Sequence, residues 1–507
     1  MAGEQFLHGV EVVEIDSGPR PIATVASAII GIVGTAPDSQ AEIKATLATG
    51  VPASNNGLTW TSKLAGILGN KISVKLLDPK ANSQALAVTV SGQAITVSLA
   101  TGSTGTITTT AAQVITAIAG NAAANALVGV VSTSPSTGAA AVAAVPLTYL
   151  TGGVDEAFPL NTPVLVAGSR AQAALLGSTG TLPDAMDSIF DQCGAVVVVV
   201  RVAKGVDDTA TLANVIGGTN SVTGKFEGVR AFLGAESAVG FAPRILIAPG
   251  FTHTRTGGNA NPVVAELLGI ADRLRAVIIQ DGGSTTDAAA ITQAGDFGSR
   301  RVYLVDPRVV KVDANGAAVY QWASPCVAGV ICKVDNDEGF WFSPSNKEIG
   351  GIIGTERQVD FQLGNASSSA NLLNASKVAT IIRQNGYRLW GNRTLSSDPK
   401  WAFLSVVRTA DILHDSLLRA HLWAVDRNIT KTYIQDVTDG VNAYMRHLTQ
   451  IGAIIGGECY ADPDLNTPDQ IQQGKVYFDF RFTPPYPAEH IVFRSTLTNE
   501  YLSTIFA

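Results

Sequence analysis

The chain has 507 residues, 46% hydrophobic and 15% charged, with a formal net charge of −7 at pH 7. That length suits about two to four domains with real cores. No basic tract is present to grip phosphates, which disfavours nucleic-acid binding, and apolar runs such as 195–202 are too short to span a bilayer.

The head, GVEVVEI at 9–15, sets Val10, Val12 and Ile15 against Glu11 and Glu14, an alternation that predicts a strand. MAGEQFLHGVEV has no positively charged leader before an apolar core, so no secretory signal is expected. Cys193, Cys326, Cys332 and Cys459 lack Cys-x-x-Cys spacing. They suggest neither a zinc site nor a disulfide framework, and fit synthesis in a reducing cytoplasm.

From Ala81 to Val154 there is no Asp, Glu, Lys or Arg. Alternations such as ALAVTVSG and AITVSLATG, broken by Gly-Ser and Thr-Gly turns, predict a small Thr-rich β-domain with about one helix, at 111–120. From Phe158 to about Leu363 the texture becomes α/β. Strand-like runs at 163–169, 195–203, 244–250, 276–282 and 301–307 alternate with helical stretches, notably LPDAMDSIFDQC and NPVVAELLGIADRLR, each with proline in the first turn. Continuous apolar strands between helices indicate a parallel sheet covered on both faces. Ser324 before Pro325 reads as a cap opening a helix through Cys332.

From Ala370 the chain reads as helical and then β. NLLNASKVATIIRQNG at 371–386 is taken as a helix ended by Gly386. A helix over 432–449 carries the stripe Val437, Val441, Tyr444, Met445 and Leu448, with Asp436, Asp439 and Arg446 off it. In VYFDFRF at 476–482, Val476, Phe478, Phe480 and Phe482 face one way. The hinge PPYP at 484–487 precedes another strand-like piece, HIVFRSTLT at 490–498. A strand beyond a hinge closes its own sheet or joins a neighbour's open edge.

Catalytic motifs are absent. GTNSVTGK at 218–225 misses a P-loop by one residue of glycine spacing and by Phe226 in place of Ser or Thr. Asp462-Pro-Asp464-Leu-Asn466 begins like a calcium loop, but Thr467 and Gln473 stand where glycine and glutamate belong. A hydrolase would need His253, with Ser284 as nucleophile and Asp207 as orienter, and no Gly-x-Ser-x-Gly elbow supports it. His414 and His421 are two helical turns apart, too far for a paired metal site.

Several long segments carry a family resemblance: FLHGVEVVEIDSGPRPI with VASAIIGIVGTAP, DEGFWFSPSNKEIGGIIG, RLWGNRTL, and GGECYADPDLNTPDQIQQGKVYFDFRFTPPYPAEHIVFRSTLTNEY. The chain resembles tail sheath proteins of contractile-tailed bacteriophages and R-type bacteriocins. The resemblance implies a multidomain α/β and β chain. An N-terminal arm and start of the core would occupy 1–37 and an inserted β-sandwich 38–153. A subtilisin-like α/β domain without catalytic role would span 154–369, and a C-terminal domain with its own arm 370–507. It implies stacked hexameric rings around an inner tail tube, contacting baseplate and tail terminator proteins, that contract to drive the tube through the host envelope. Cofactor, metal, nucleic acid and membrane insertion are not implied. The donated arms would be Val10, Glu11, Val12, Val13, Glu14 and Ile15, and Ile491, Val492, Phe493, Arg494, Ser495, Thr496, Leu497 and Thr498. The accepting sheet would hold Val476, Phe478, Phe480 and Phe482, and a tube-facing helix Asp436, Asp439 and Arg446. The rival readings are an α/β serine hydrolase and a surface-layer or adhesive protein.

Overall fold

The computed structural model describes residues 21–313 and 315–506; the arm expected at Val10–Ile15 lies outside them. One compact unit comprises Ala36–Leu160 with Ala174–Thr179. The other comprises the chain up to Thr35, Asn161–Ala173 and everything from Gly180 onward.

The larger unit is built on an eight-stranded sheet. Edge to edge, its strands are Tyr387–Trp390, Val378–Arg383, Val302–Val305, Val277–Asp281, Ile245–Ile247, Ile29–Thr35, Val196–Val202 and Pro163–Ala167. The inner six run parallel, and both edge strands run antiparallel to their neighbours. Parallel strands are buried on both faces, and Ile245, Leu246 and Ile247 are accordingly all inaccessible. On one side, helices Asp208–Ile216 and Pro262–Leu274 share a core with Val33, Val200, Leu246 and Ile278. Helices Leu182–Phe190 and Ser324–Asp337 pack on each other and on the strands at 29–35 and 245–247.

Two expectations are corrected. Ser324 does not cap its helix: it is the first helical residue, and its hydroxyl donates to Asp281 Oδ2 at 2.6 Å. The helix expected over 371–386 is a short helix, Ser369–Ala375, followed by the strand Val378–Arg383. Lys377 at φ 65° ends the helix, and β-branched Val378, Thr380, Ile381 and Ile382 fit a buried strand. Asn385 and Gly386, both at positive φ, turn it into Tyr387–Trp390. These two strands complete the large sheet, so the α/β part runs past the division drawn at 369/370.

The smaller unit has an antiparallel sheet of Thr46–Thr49, Leu58–Ser62 and Val128–Ser132. Its second sheet orders Ala87–Ser91, Ala94–Ser98, Ser73–Leu77 and Val145–Tyr149. Leu58, Trp60, Val74, Ile95, Val97 and Val114 lie in one shared core. Two helices form here where one was expected. Thr110 and Gln113 make a capping box for Ala111–Gly120, and Asn121 then caps Ala122–Leu127. Asp38 accepts four hydrogen bonds from the backbone and hydroxyls of Ser178 and Thr179, tying 174–179 into this unit. Those bonds, that from the Thr179 hydroxyl foremost, hold the Asp38 carboxyl well below the usual carboxylate range.

Candidate functional site

The carboxyl ends of parallel strands are where α/β sheets place ligands. Here that ground is filled by protein. His253 stacks on Trp322 with ring centroids 4.0 Å apart, and the Arg308 guanidinium lies 4.9 Å from the Trp322 ring. Burial, reinforced by Arg308, lowers the His253 pKa. Ser284 is held by other partners: its N–H donates to Asp306 Oδ1 at 2.7 Å, and its hydroxyl accepts from the Arg308 N–H at 3.1 Å. Asp207 caps its own helix by accepting from Ala210 N–H at 2.7 Å. Each member of the imagined triad is thus bonded or stacked to something else. The GTNSVTGK segment supplies the first strand, Gly218–Thr219, and the turn of a hairpin whose second strand is Phe226–Glu227, and Asp462 closes a turn by accepting from Asp464 N–H at 2.8 Å. Among the described residues, no group of three or more His, Cys, Asp or Glu could hold a metal ion.

The other unusual ground lies beyond the sheet. Helix Leu404–Ala420 carries Arg408, Asp411 and Asp415 at a spacing that puts them on one helical face. They pair with Asp335, Arg301 and Arg244 respectively. Arg301 and Arg244 immediately precede sheet strands, so the helix is riveted to the sheet's amino ends. Removing one partner of a buried pair costs about 3–5 kcal/mol, which makes this docking rigid.

Helix Lys431–Gln450 packs beside it through Val441, Tyr444, Met445 and Leu448, together with Ile412, Leu413 and Leu417. Asp436, Asp439 and Arg446 are exposed on its other faces. The chain from Pro21 crosses this cluster: Thr24 Oγ1 lies 3.0 Å from the Tyr444 hydroxyl, and Val25 N–H donates to Ser416 Oγ at 3.0 Å.

On the cluster lies a two-stranded antiparallel sheet, Gly456–Ala461 with Phe478–Thr483. Phe478, Phe480 and Phe482 face the helices, and His414 meets Phe480 edge-on at 5.7 Å. Val476, expected in this strand, lies before it, because Asn466 takes the N–H and carbonyl of Tyr477, both at 2.8 Å. Gly456–Ala461 was missed as a strand, since its two glycines weaken the β signal. Asn442 was missed too; its only signal was a polar residue beside the apolar stripe.

After PPYP, Glu489 forms a two-oxygen ion pair with Arg393, Nε to Oε1 at 2.8 Å and to Oε2 at 3.0 Å. Tyr486 meets Phe403 edge-on at 6.3 Å. Ile491–Thr498 then takes no strand or helix and is exposed throughout, Phe493 at 93% and Leu497 at 101%.

Phage tail sheath family profiles match the C-terminal domain at 396–498, the central domain at 224–395, and a domain III N-terminal region at 137–202. A prophage major tail sheath protein of Pseudomonas aeruginosa strain UCBPP-PA14 is 45% identical over 70% of this chain and 90% of its own. The chain belongs to the phage tail sheath family. The tail sheath protein of Burkholderia phage BcepMu is 29% identical over 99% of this chain and 98% of its own. The contracted helical sheath of the anti-feeding prophage shares the fold, with TM-score 0.52 and 21% identity over 67% of this chain and 89% of that one. The family is structural and not enzymatic. No helix among the described residues is long and apolar enough to cross a membrane.

Proposed function

We propose that this chain is the repeating subunit of a contractile sheath in a virion or bacteriocin tail. It polymerises as stacked six-membered rings around an inner tube. It then shortens to drive that tube through a host envelope, for genome ejection or cell killing. We read the eight-stranded unit as a subtilisin-like α/β domain without catalytic role, and 36–160 as an inserted Thr-rich β-sandwich. Its partners are other copies of itself, the tube protein, and the baseplate and terminator proteins at the two ends.

One observation carries the reading: among the described residues, a strand-length arm at Ile491–Thr498 pairs with no strand, and a small sheet has two strands only. Each arm satisfies a neighbour's sheet. An arm at Ile491–Thr498 makes about five backbone bonds of roughly 1 kcal/mol net each, and the arm at Val10–Ile15 adds a second joint. One joint is modest, but a mesh of joints keeps neighbours tethered while their bodies move. The work comes from better packing in the contracted state, a bistable interface that requires no nucleotide.

Deleting residues 488–507 tests this. The truncated chain should stay folded and soluble, melt close to the full-length chain, and form neither rings nor tubes by electron microscopy. Tubes from the truncated chain would refute strand donation, and early melting would place the arm in its own subunit's core.

A further inference from the structure

Four free cysteines lie among the described residues, and two of them meet. Helix Leu182–Phe190 and the turn after it press against helix Ser324–Asp337 at Gly329. A Cβ there would stand 2.7 Å from the Gln192 Cγ and 2.8 Å from the Ile189 carbonyl oxygen, so only glycine allows the approach. The residue after Gln192, Cys193, donates its thiol to the Gly329 carbonyl at 3.4 Å. Cys332 is three residues beyond Gly329, on the same face of that helix and about 4.5 Å further along its axis. Burial first, then Asp335 and a Cys193 thiolate, raise the Cys332 pKa well above the usual thiol value, and burial raises that of Cys193. Cys193 is partly exposed, while Cys332 is inaccessible. Cys326, on the same helix, turns to another face beside Ser188, and Cys459 lies in the small sheet.

We propose that Cys193 and Cys332 are an oxidisable pair that closes to a disulfide in the folded chain. The oxidant is a low-molecular-weight disulfide. Only Cys193 can meet it, so the Cys193 thiolate attacks one of its sulfurs, and the first small thiol leaves with the proton that Cys193 lost. Cys332 then gives up its own proton and attacks the Cys193 sulfur, expelling the second small thiol. The two cysteines lose two electrons and two protons, which the small disulfide gains. Thiols that stay protonated at neutral pH react slowly, so the pair remains reduced in the cell that makes it. Resting on the proposed function, the particle works outside that cell, in surroundings where disulfides persist. There the bond ties the chain entering strand Val196–Val202 to helix Ser324–Asp337.

The full chain, held with oxidised glutathione at mildly alkaline pH and read by intact mass and peptide mapping, tests this. Wild type should become lighter by two hydrogen atoms, with one peptide pair joined through residues 193 and 332. Cys326 and Cys459 should remain open to alkylation after unfolding. Cys332→Ser should stop with one glutathione on Cys193, and Cys193→Ser should take up none. The wild-type readings decide the matter without either variant. A wild-type chain that keeps glutathione on Cys193, stays unmodified, or joins any other pair would overturn the assignment. Closing so long a loop restricts the unfolded chain, so the bridged protein should melt higher than the reduced one, and reductant should reverse the shift. Equal or lower melting would overturn the stiffening and leave the pair standing.

Discussion

Asn442 and Cys459 form a closed pair in which one side chain answers both backbone groups of one strand residue. Asn442→Ala leaves that N–H and carbonyl without partners in a partly buried place, at a cost of about 1–3 kcal/mol. The variant should melt lower, by calorimetry, and should form irregular aggregates by light scattering, because a second edge is then open. Asn442→Asp keeps the acceptor and loses the donor, so it should fall between the two.

Arg393 and Glu489 fix the root of the arm. Both side chains are more than a third exposed, so the pair contributes only about 0–1 kcal/mol to folding. Its effect is on reach. With the pair closed, Ile491 lies two residue steps from Glu489, a span of about 7 Å; with it open, slack runs back to Thr483, about 26 Å. Glu489→Arg should therefore leave the melting temperature almost unchanged while loosening the order of assembled tubes in micrographs. The exchange Arg393→Glu with Glu489→Arg should restore that order.

The smaller unit should be removable. Thr35 pairs with Val202, and the Asn161 N–H donates to the neighbouring Arg201 carbonyl at 2.8 Å. The two junctions thus flank one strand, and neighbouring strands lie about 4.8 Å apart. Replacing 37–160 with a short Gly/Ser linker should preserve tube formation in negative stain. Loss of tubes with the remainder still folded would show that the unit makes required lattice contacts.

Asp436 and Asp439 are exposed on the Lys431–Gln450 helix and enter no ion pair among the described residues. Changing both to lysine should impair coating of inner tubes and spare self-assembly of sheath alone. Single exposed charges contribute about 0–1 kcal/mol, so the effect should come from repetition and be largest at low salt. Equal coating by variant and wild type would remove this helix from the tube interface.

Asp281 is wholly buried, and burial raises its carboxyl to about 6 against the lowering effect of bonds from Ser324 and Thr252. Its folded value lies above its unfolded one. The protonated form is therefore favoured in the fold, and its stabilisation, complete below about pH 4, is lost as pH rises through about 6. Asp281→Asn should abolish that loss. Relative to wild type, it should gain about 2–3 kcal/mol between pH 4 and pH 7 in urea titrations.

The α/β unit was legible because its strands are continuous apolar runs and two of its helices announce themselves with Pro183 and Pro262. The segment 371–386 was misread because a real helix and a real strand abut at Lys377 with no glycine or proline between them. Half of the small two-stranded sheet was legible in the alternation of Phe478, Phe480 and Phe482. The other half was hidden, because Gly456 and Gly457 owe their strand to pairing rather than propensity. The edge closure rests on one amide, and a single asparagine in a helix has no sequence signature that separates it from a solvated one.

The hinge Pro484-Pro485-Tyr486-Pro487 has a consequence for counting. Three of its four residues carry no N–H, so the chain cannot simply run on from Phe478–Thr483 into a third strand of its own sheet. On the strand-donation proposal, every copy carries one strand to give and one berth to fill. Such a unit joins others head to tail, and that geometry ends only in a closed ring or continues as an open filament. A stack grown this way always finishes with a layer of vacant berths at one end and idle strands at the other. The two ends of such a stack would differ chemically, which fits the proposal that a protein of another kind terminates each.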